Sequence, residues 1–178
     1  MNIYQHRDHP WLVPEKNYIR AAADAGKPVL GICLGAQMLA DVMGGKVMQS
    51  HEREIGWWPV RFLARPGPFA AFPGELTPCH WHGDTFNLPS GAIHVAESDA
   101  CKNQAFLIGD RLVGLQFHIE VGQIDVRDLA GALPDDLAAA RYVQSPADLL
   151  RPPLREAELD AALYSLLDAL AGSGAATP

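Results

Sequence analysis

The chain has 178 residues, 48% of them hydrophobic and 20% charged, with a formal net charge of −7. That length builds one domain with a buried core and leaves no room for a second of similar size. The acidic balance argues against a broad nucleic-acid surface, which needs clustered Lys and Arg, and no stretch is apolar for long enough to span a bilayer. The N-terminus, "MNIYQHRDHPW", has no signal-peptide apolar region. Cys33, Cys79 and Cys101 are odd in number and widely spaced, which fits a reduced, cytoplasmic compartment. A small molecule or a protein partner is therefore expected, with no nucleic acid and no membrane.

In chain order, "EKNYIRAAADA" (15–25) follows Pro14 and carries apolar residues at Tyr18, Ile19, Ala22 and Ala23. This spacing predicts a helix closed by Gly26. "KPVLGI" (27–32) reads as a buried parallel strand, and "GAQMLADVMGG" (35–45) as a second helix. The middle of the chain carries short β-branched or aromatic runs over 46–50, 55–64, 76–82, 92–98, 105–109 and 111–120. Gly, Pro, Asn and Asp separate them, so they read as strands, with "GDR" (109–111) as a hairpin turn. From Val121 the pattern is helical again. Over 154–170, Leu159, Leu163, Leu166, Leu167 and Leu170 are expected on one face of a closing helix. The domain is expected over 1–171, with a flexible tail at 172–178.

"GICLG" has the form of a nucleophile elbow, in which a strand enters a strained turn and a helix leaves it. Glycines on either side of Cys33 would allow close backbone approach. A thiol at a helix N-terminus meets N–H groups and the positive end of the dipole, which favour its thiolate. The N–H of Leu34 would help to hold an oxyanion. Alone, the motif also fits a packed core cysteine. "GLQFHIE" adds His118 and Glu120, two apart on a predicted strand and so on one face. A carboxylate fixes the tautomer of a histidine that must act as base and then as acid. Cys79, His80 and His82 lie close together, yet their spacing shows no second ligand pair, so no metal is expected. Trp57, Trp58 and Trp81, like Met38 and Met43, read as packing residues.

"KPVLGICLGAQMLADVMGG", "EIGWWPV", "HWHGDTFNLP" and "GLQFHIE" together resemble the class I (triad) glutamine amidotransferases, in particular the stand-alone GMP synthase-like domains. The resemblance runs from the first residue to about residue 125. It implies an α/β, flavodoxin-like three-layer sandwich with a mostly parallel sheet and a β-hairpin insertion. It implies a Cys33–His118–Glu120 triad that hydrolyses the side-chain amide of L-glutamine through a γ-glutamyl thioester, with no cofactor and no metal. Gln37, Leu34 and Gly35 would contact the substrate. His82 and Asp84 would lie at the mouth of the site, where substrate or a synthetase partner is sensed; packing of His82 and a turn cap at Asp84 are the simpler alternative. Ammonia would pass to a separate acceptor enzyme. The triad here reads H-I-E where many relatives read H-P-E.

The resemblance also implies an opening strand–helix–strand unit, on the order of 30 residues, whose Gly-Gly-Pro turn adds an oxyanion donor. Met1 falls where that turn would end, so the domain is expected to be truncated at its N-terminus and Met1 to be internal to a longer enzyme. A truncated form completed by another subunit is one alternative, and a non-catalytic, partner-binding relative is another. A γ-glutamyl hydrolase or peptidase with the same triad also remains open.

Overall fold

Two prolines decide where the strands break. The computed structural model describes residues 1–151 and 156–173. In chain order it forms α1 (Leu12–Asp24), β1 (Val29–Ile32), α2 (Leu34–Val42), β2 (Val47–Trp57), β3 (Val60–Phe62), β4 (Glu75–Leu76) and β5 (Cys79–Phe86). Then follow β6 (Ile93–Glu97), β7 (Ala105–Ile108), β8 (Leu112–Leu115), α3 (Gln123–Ala132), α4 (Pro146–Leu149) and α5 (Glu156–Ser173). The expected single strand over 55–64 is split at Trp58–Pro59 between β2 and β3, which belong to different sheets. The run over 76–82 is likewise split, with Pro78 between β4 and β5. Proline has no N–H to give to a ladder, so each pairing ends there.

The main sheet runs β1-β8-β7-β6-β3-β4 among the described residues. β1 and β8 are parallel, with Gly31 opposite Gly114 and Ile32 opposite Leu115; the other neighbours are antiparallel. β2 and β5 form a separate two-stranded antiparallel arm, the insertion expected between the cysteine turn and the histidine strand. The α/β, flavodoxin-like class and the inserted arm are those anticipated from the sequence. A mostly parallel sheet was expected, but among the described residues only the β1–β8 pairing of this sheet is parallel. Hairpin connections make β6, β7 and β8 antiparallel neighbours, and the β1–β8 ladder is where the cysteine turn begins.

Apolar residues fill both sides of the main sheet. Leu12, Ile19, Ala36 and Leu39 of α1 and α2 pack with Phe106 and Leu112. On the other side Leu107, Val113 and Leu115 pack with Leu159, Leu166 and Leu170 of α5. Neighbouring residues of β7 and β8 therefore serve opposite layers, as strand alternation requires.

Some expectations are corrected. α1 starts at Leu12 rather than residue 15, with Pro14 in its first turn, where an absent N–H breaks no helical bond. In α5, Leu167 is exposed and Ala162 takes a place in the buried stripe, because Leu167 lies at the edge of the apolar arc set by Leu159, Leu166 and Leu170. That helix runs through residues 172 and 173, where a tail was expected; 154–155 and the rest of the tail, 174–178, lie outside the described residues. The stretch between Leu137 and Pro146 is irregular rather than helical. It is tied to β2 instead, with Ile55 N donating to Tyr142 O at 2.9 Å and Gln144 N to Ile55 O at 2.9 Å. Among the described residues no helix is long and apolar enough to cross a membrane.

Candidate active site

Cys33 sits between the last residue of β1 and the first of α2, with φ 50° and ψ −105°. It is the one non-glycine residue with positive φ among those described. Holding an L-residue there costs about 1–3 kcal/mol, so the surrounding structure must enforce it. Cys33 N donates to Leu115 O at 2.7 Å and Gln37 N donates to Cys33 O at 3.1 Å, which ties the turn to β8 and to α2. Gly31 makes the turn possible, since a Cβ there would lie 2.5 Å from Gly35 O. The space beside Gly35 is open for 4 Å, so this second glycine is not needed for close packing. Of the three cysteines, Cys79 and Cys101 are buried and Cys33 is partly exposed. Burial pushes the Cys79 thiol up to about 12, with the charges of Glu120 and Cys33 adding to the effect. Burial also raises the Cys101 thiol.

His118 and Glu120 lie beyond the end of β8, not on it as the sequence suggested. Two backbone bonds hold the histidine instead: His118 N donates to Cys79 O at 2.7 Å, and Cys79 N donates to His118 O at 3.2 Å. Alternation survives the loss of the ladder. Phe117 and Ile119 are buried in the core, while His118 Nδ1 and Glu120 Oε1 meet at 2.7 Å. Burial alone would lower the His118 pKa. Hydrogen bonds to Cys33 and Glu120, and their negative charge, outweigh it and raise the group to about 10. The structure thus brings Cys33, His118 and Glu120 together.

Gln116 is a member of the site that its place in the sequence did not single out. It is fully buried; its Nε2 donates to Cys33 Sγ at 3.6 Å, and its Oε1 accepts from Gln37 Nε2 at 3.2 Å. Cys33 Sγ also lies 3.8 Å from Trp81 O. An open pocket of about 530 Å³ lies over the thiol, lined by Cys33, Leu34, Gln37, Trp81, His82 and Asp84. Residues of the N-terminal segment form part of its rim, and Asn2 Nδ2 donates to Asp84 Oδ2 at 2.5 Å. His118, Glu120 and Gly35 are not part of the lining.

Behind this wall, β2 places Glu54 directly opposite His82, with His80 two residues along on the same face of β5. All three are buried. Glu54 Oε2 lies 3.3 Å from His80 Nδ1 and 3.2 Å from His82 Nε2. Burial opposes ionisation of Glu54, and positive charge on the two histidines, when they are protonated, would reverse the effect and hold its pKa well below the usual carboxylate range. Burial lowers His82. The sequence signalled the two histidines through their spacing, whereas Glu54 joins them only through strand pairing.

A strand-to-helix cysteine turn, a histidine–carboxylate pair at the adjacent strand end and an open pocket together form a candidate Cys-His-Glu site on an α/β sheet. A family model described as glutamine amidotransferase class-I matches residues 7–124. The chain belongs to that family. It is 35% identical over 141 residues to the glutamine amidotransferase-like protein YfeJ of Salmonella typhimurium, an alignment covering 76% of this chain and 59% of YfeJ. It is 39% identical over 119 residues to a GMP synthase [glutamine-hydrolyzing] of Vibrio campbellii, covering 63% of this chain and 23% of that protein. A glutamine amidotransferase from Thermotoga maritima superposes with a TM-score of 0.86 at 38% identity, over 96% of this chain and 74% of that one. One from Methylobacillus flagellatus gives 0.86 at 32% identity, over 95% and 72%. The chain thus spans 59% of the length of YfeJ and about a quarter of that of the GMP synthase.

Proposed function

We propose that this protein hydrolyses the side-chain amide of L-glutamine, giving glutamate and ammonia, and that the ammonia passes to a separate acceptor synthetase. The observation that carries this reading is the meeting of Cys33, at a strained turn open to a pocket, with a histidine already bonded to Glu120 at 2.7 Å. The Cys33 thiol passes its proton to His118, Sγ attacks the amide carbon, and the carbonyl electron pair moves onto oxygen. The N–H of Leu34, at the start of α2, would hold that charge; loss of one such donor costs about a hundredfold to a thousandfold in rate. Collapse breaks the C–N bond as His118 gives its proton to the leaving nitrogen, and ammonia departs from a γ-glutamyl thioester. His118 then takes a proton from water, whose oxygen attacks the thioester carbon. The C–S bond breaks, His118 returns the proton to the departing sulfur, and glutamate is released with the thiol restored.

In this reading Gln37, on the pocket wall, and Leu34 contact the substrate, and Asp84 lies at the mouth. The Gln116 amide keeps the sulfur facing the pocket. The test is release of glutamate and ammonia in equal amounts from glutamine by the purified protein. Turnover is expected to vanish in Cys33→Ala; turnover of comparable size in that variant would remove the mechanism.

A further inference from the structure

Among the described residues, the buried side-chain nitrogen and oxygen atoms with no hydrogen-bond partner are Glu54 Oε1, His82 Nε2 and Gln104 Oε1. All three belong to one cluster behind the pocket wall. A buried polar atom without a partner costs about 1–3 kcal/mol, and three around one point ask for an occupant.

Hydrogen-bond accounting shows what is missing. His80 Nε2 lies 3.2 Å from Trp58 O, and His82 Nδ1 lies 3.2 Å from Asp84 O. A carbonyl only accepts, so each ring spends its one neutral-form proton on its outer nitrogen. The inner nitrogens, His80 Nδ1 and His82 Nε2, then present lone pairs to Glu54 Oε2 at 3.3 and 3.2 Å. Three acceptors then face one another in a buried site, where the Gln104 amide nitrogen bonds Glu54 Oε2 and approaches His80 Nδ1 but leaves His82 Nε2 without a donor. A backbone carbonyl fixing the far nitrogen is also how metal-bound histidines are oriented.

We propose that Glu54, His80 and His82 bind a divalent transition-metal ion of the zinc class. The three donor atoms lie within 4.8 Å of one another. The two contacts to Glu54 match the edge of about 3.3 Å between ligands of a tetrahedral centre with bonds near 2.0–2.1 Å. Two imidazoles and a carboxylate suit zinc, and also cobalt, nickel or copper. Gln104 closes a fourth side, with its amide nitrogen 2.6 Å from Glu54 Oε2 and 3.5 Å from His80 Nδ1. That amide nitrogen also donates to Ser98 Oγ at 2.9 Å, so it stays as an outer hydrogen-bond donor to the carboxylate ligand, and a solvent oxygen from the pocket would complete the tetrahedron. His82 also lines the pocket over Cys33, which provides the route of entry. The metal would tie β2 to β5 and stiffen the pocket wall, and it takes no part in the amide chemistry. The site therefore stands or falls independently of glutamine hydrolysis.

The test is titration of the Cys33→Ala protein with Co²⁺, a background that removes the catalytic thiol as a competing ligand. One Co²⁺ per chain is expected, with the intense visible absorption of a four-coordinate ion, no thiolate charge-transfer band, and displacement by Zn²⁺. Zn²⁺ should also raise the melting temperature. Glu54→Gln, close in shape, should weaken binding by more than the ~10–100-fold that loss of an outer partner costs. His82→Asn is the second variant, with the same expectation. Absence of stoichiometric binding in the Cys33→Ala protein would overturn the proposal and assign the cluster to a doubly protonated histidine pair. Binding that survives both substitutions would overturn it too, by placing the metal elsewhere.

Discussion

Nδ1 of His118 lies 2.7 Å from Oε1 of Glu120, which leaves Nε2 as the ring nitrogen that faces Cys33. The carboxylate thus sets the orientation of the ring and, together with the Cys33 sulfur, raises its preference for a proton. Glu120→Gln should lower the His118 pKa from about 10 toward the ordinary histidine range and reduce turnover strongly. A proton-sensitive NMR titration of the ring checks the first, and a steady-state assay the second.

The same shift gives stability a defined pH dependence. The folded-state pKa of His118, about 10, exceeds the unfolded value of about 6.5. Its contribution is therefore complete below about pH 6.5 and is lost as pH rises through about 10. The stability advantage of the natural protein over Glu120→Gln should shrink above that pH. Denaturant midpoints at neutral and at strongly alkaline pH measure it; an advantage that grows with pH would contradict the assignment.

Backbone strain at Cys33 separates activity from stability. Cys33→Gly should abolish turnover yet stabilise the fold by about 1 kcal/mol, because glycine adopts positive φ without penalty. Gly31→Ala should act in the opposite sense and cost about 1–3 kcal/mol, since its Cβ meets the backbone of Gly35 rather than a side chain able to move aside. Urea midpoints with unchanged slopes would report both.

Gln116 is argued to position the sulfur through its amide. Gln116→Met keeps the length of the side chain but loses the donor to Cys33 and the acceptor for Gln37. We expect kcat to fall about tenfold, the equivalent of one modest hydrogen bond, with KM for glutamine little changed. A rise in KM at constant kcat would instead make Gln116 a substrate contact.

Much of this site was legible because its parts are local in sequence. G-x-C-x-G marks a strand-to-helix turn by itself, and two residues of alternation were enough to pair His118 with Glu120. That pairing held even though β8 stops at Leu115, since Phe117 and Ile119 still anchor the intervening positions in the core. What escaped is what strand pairing creates. Glu54 reaches His80 and His82 only because β2 folds against β5, and Gln116 reaches Gln37 only because β8 lies beside β1. The irregular stretch before α4 escaped for a related reason. Its alanine-rich composition suits a helix, yet the bonds from Ile55 and Gln144 hold it along β2. Pro59 and Pro78 did carry the strand breaks in plain view, as residues unable to donate to a ladder.

The most direct test of the central claim is intact-mass spectrometry of the folded protein before and after exposure to a diazo-ketone analogue of glutamine. The account predicts one adduct per chain, located at Cys33 by peptide mapping, blocked by excess glutamine and absent in His118→Ala. Cys79 and Cys101 should stay unmodified, as their burial requires. A folded protein that remains unlabelled, or that is labelled at a buried cysteine instead, would contradict the assignment of Cys33 as the nucleophile.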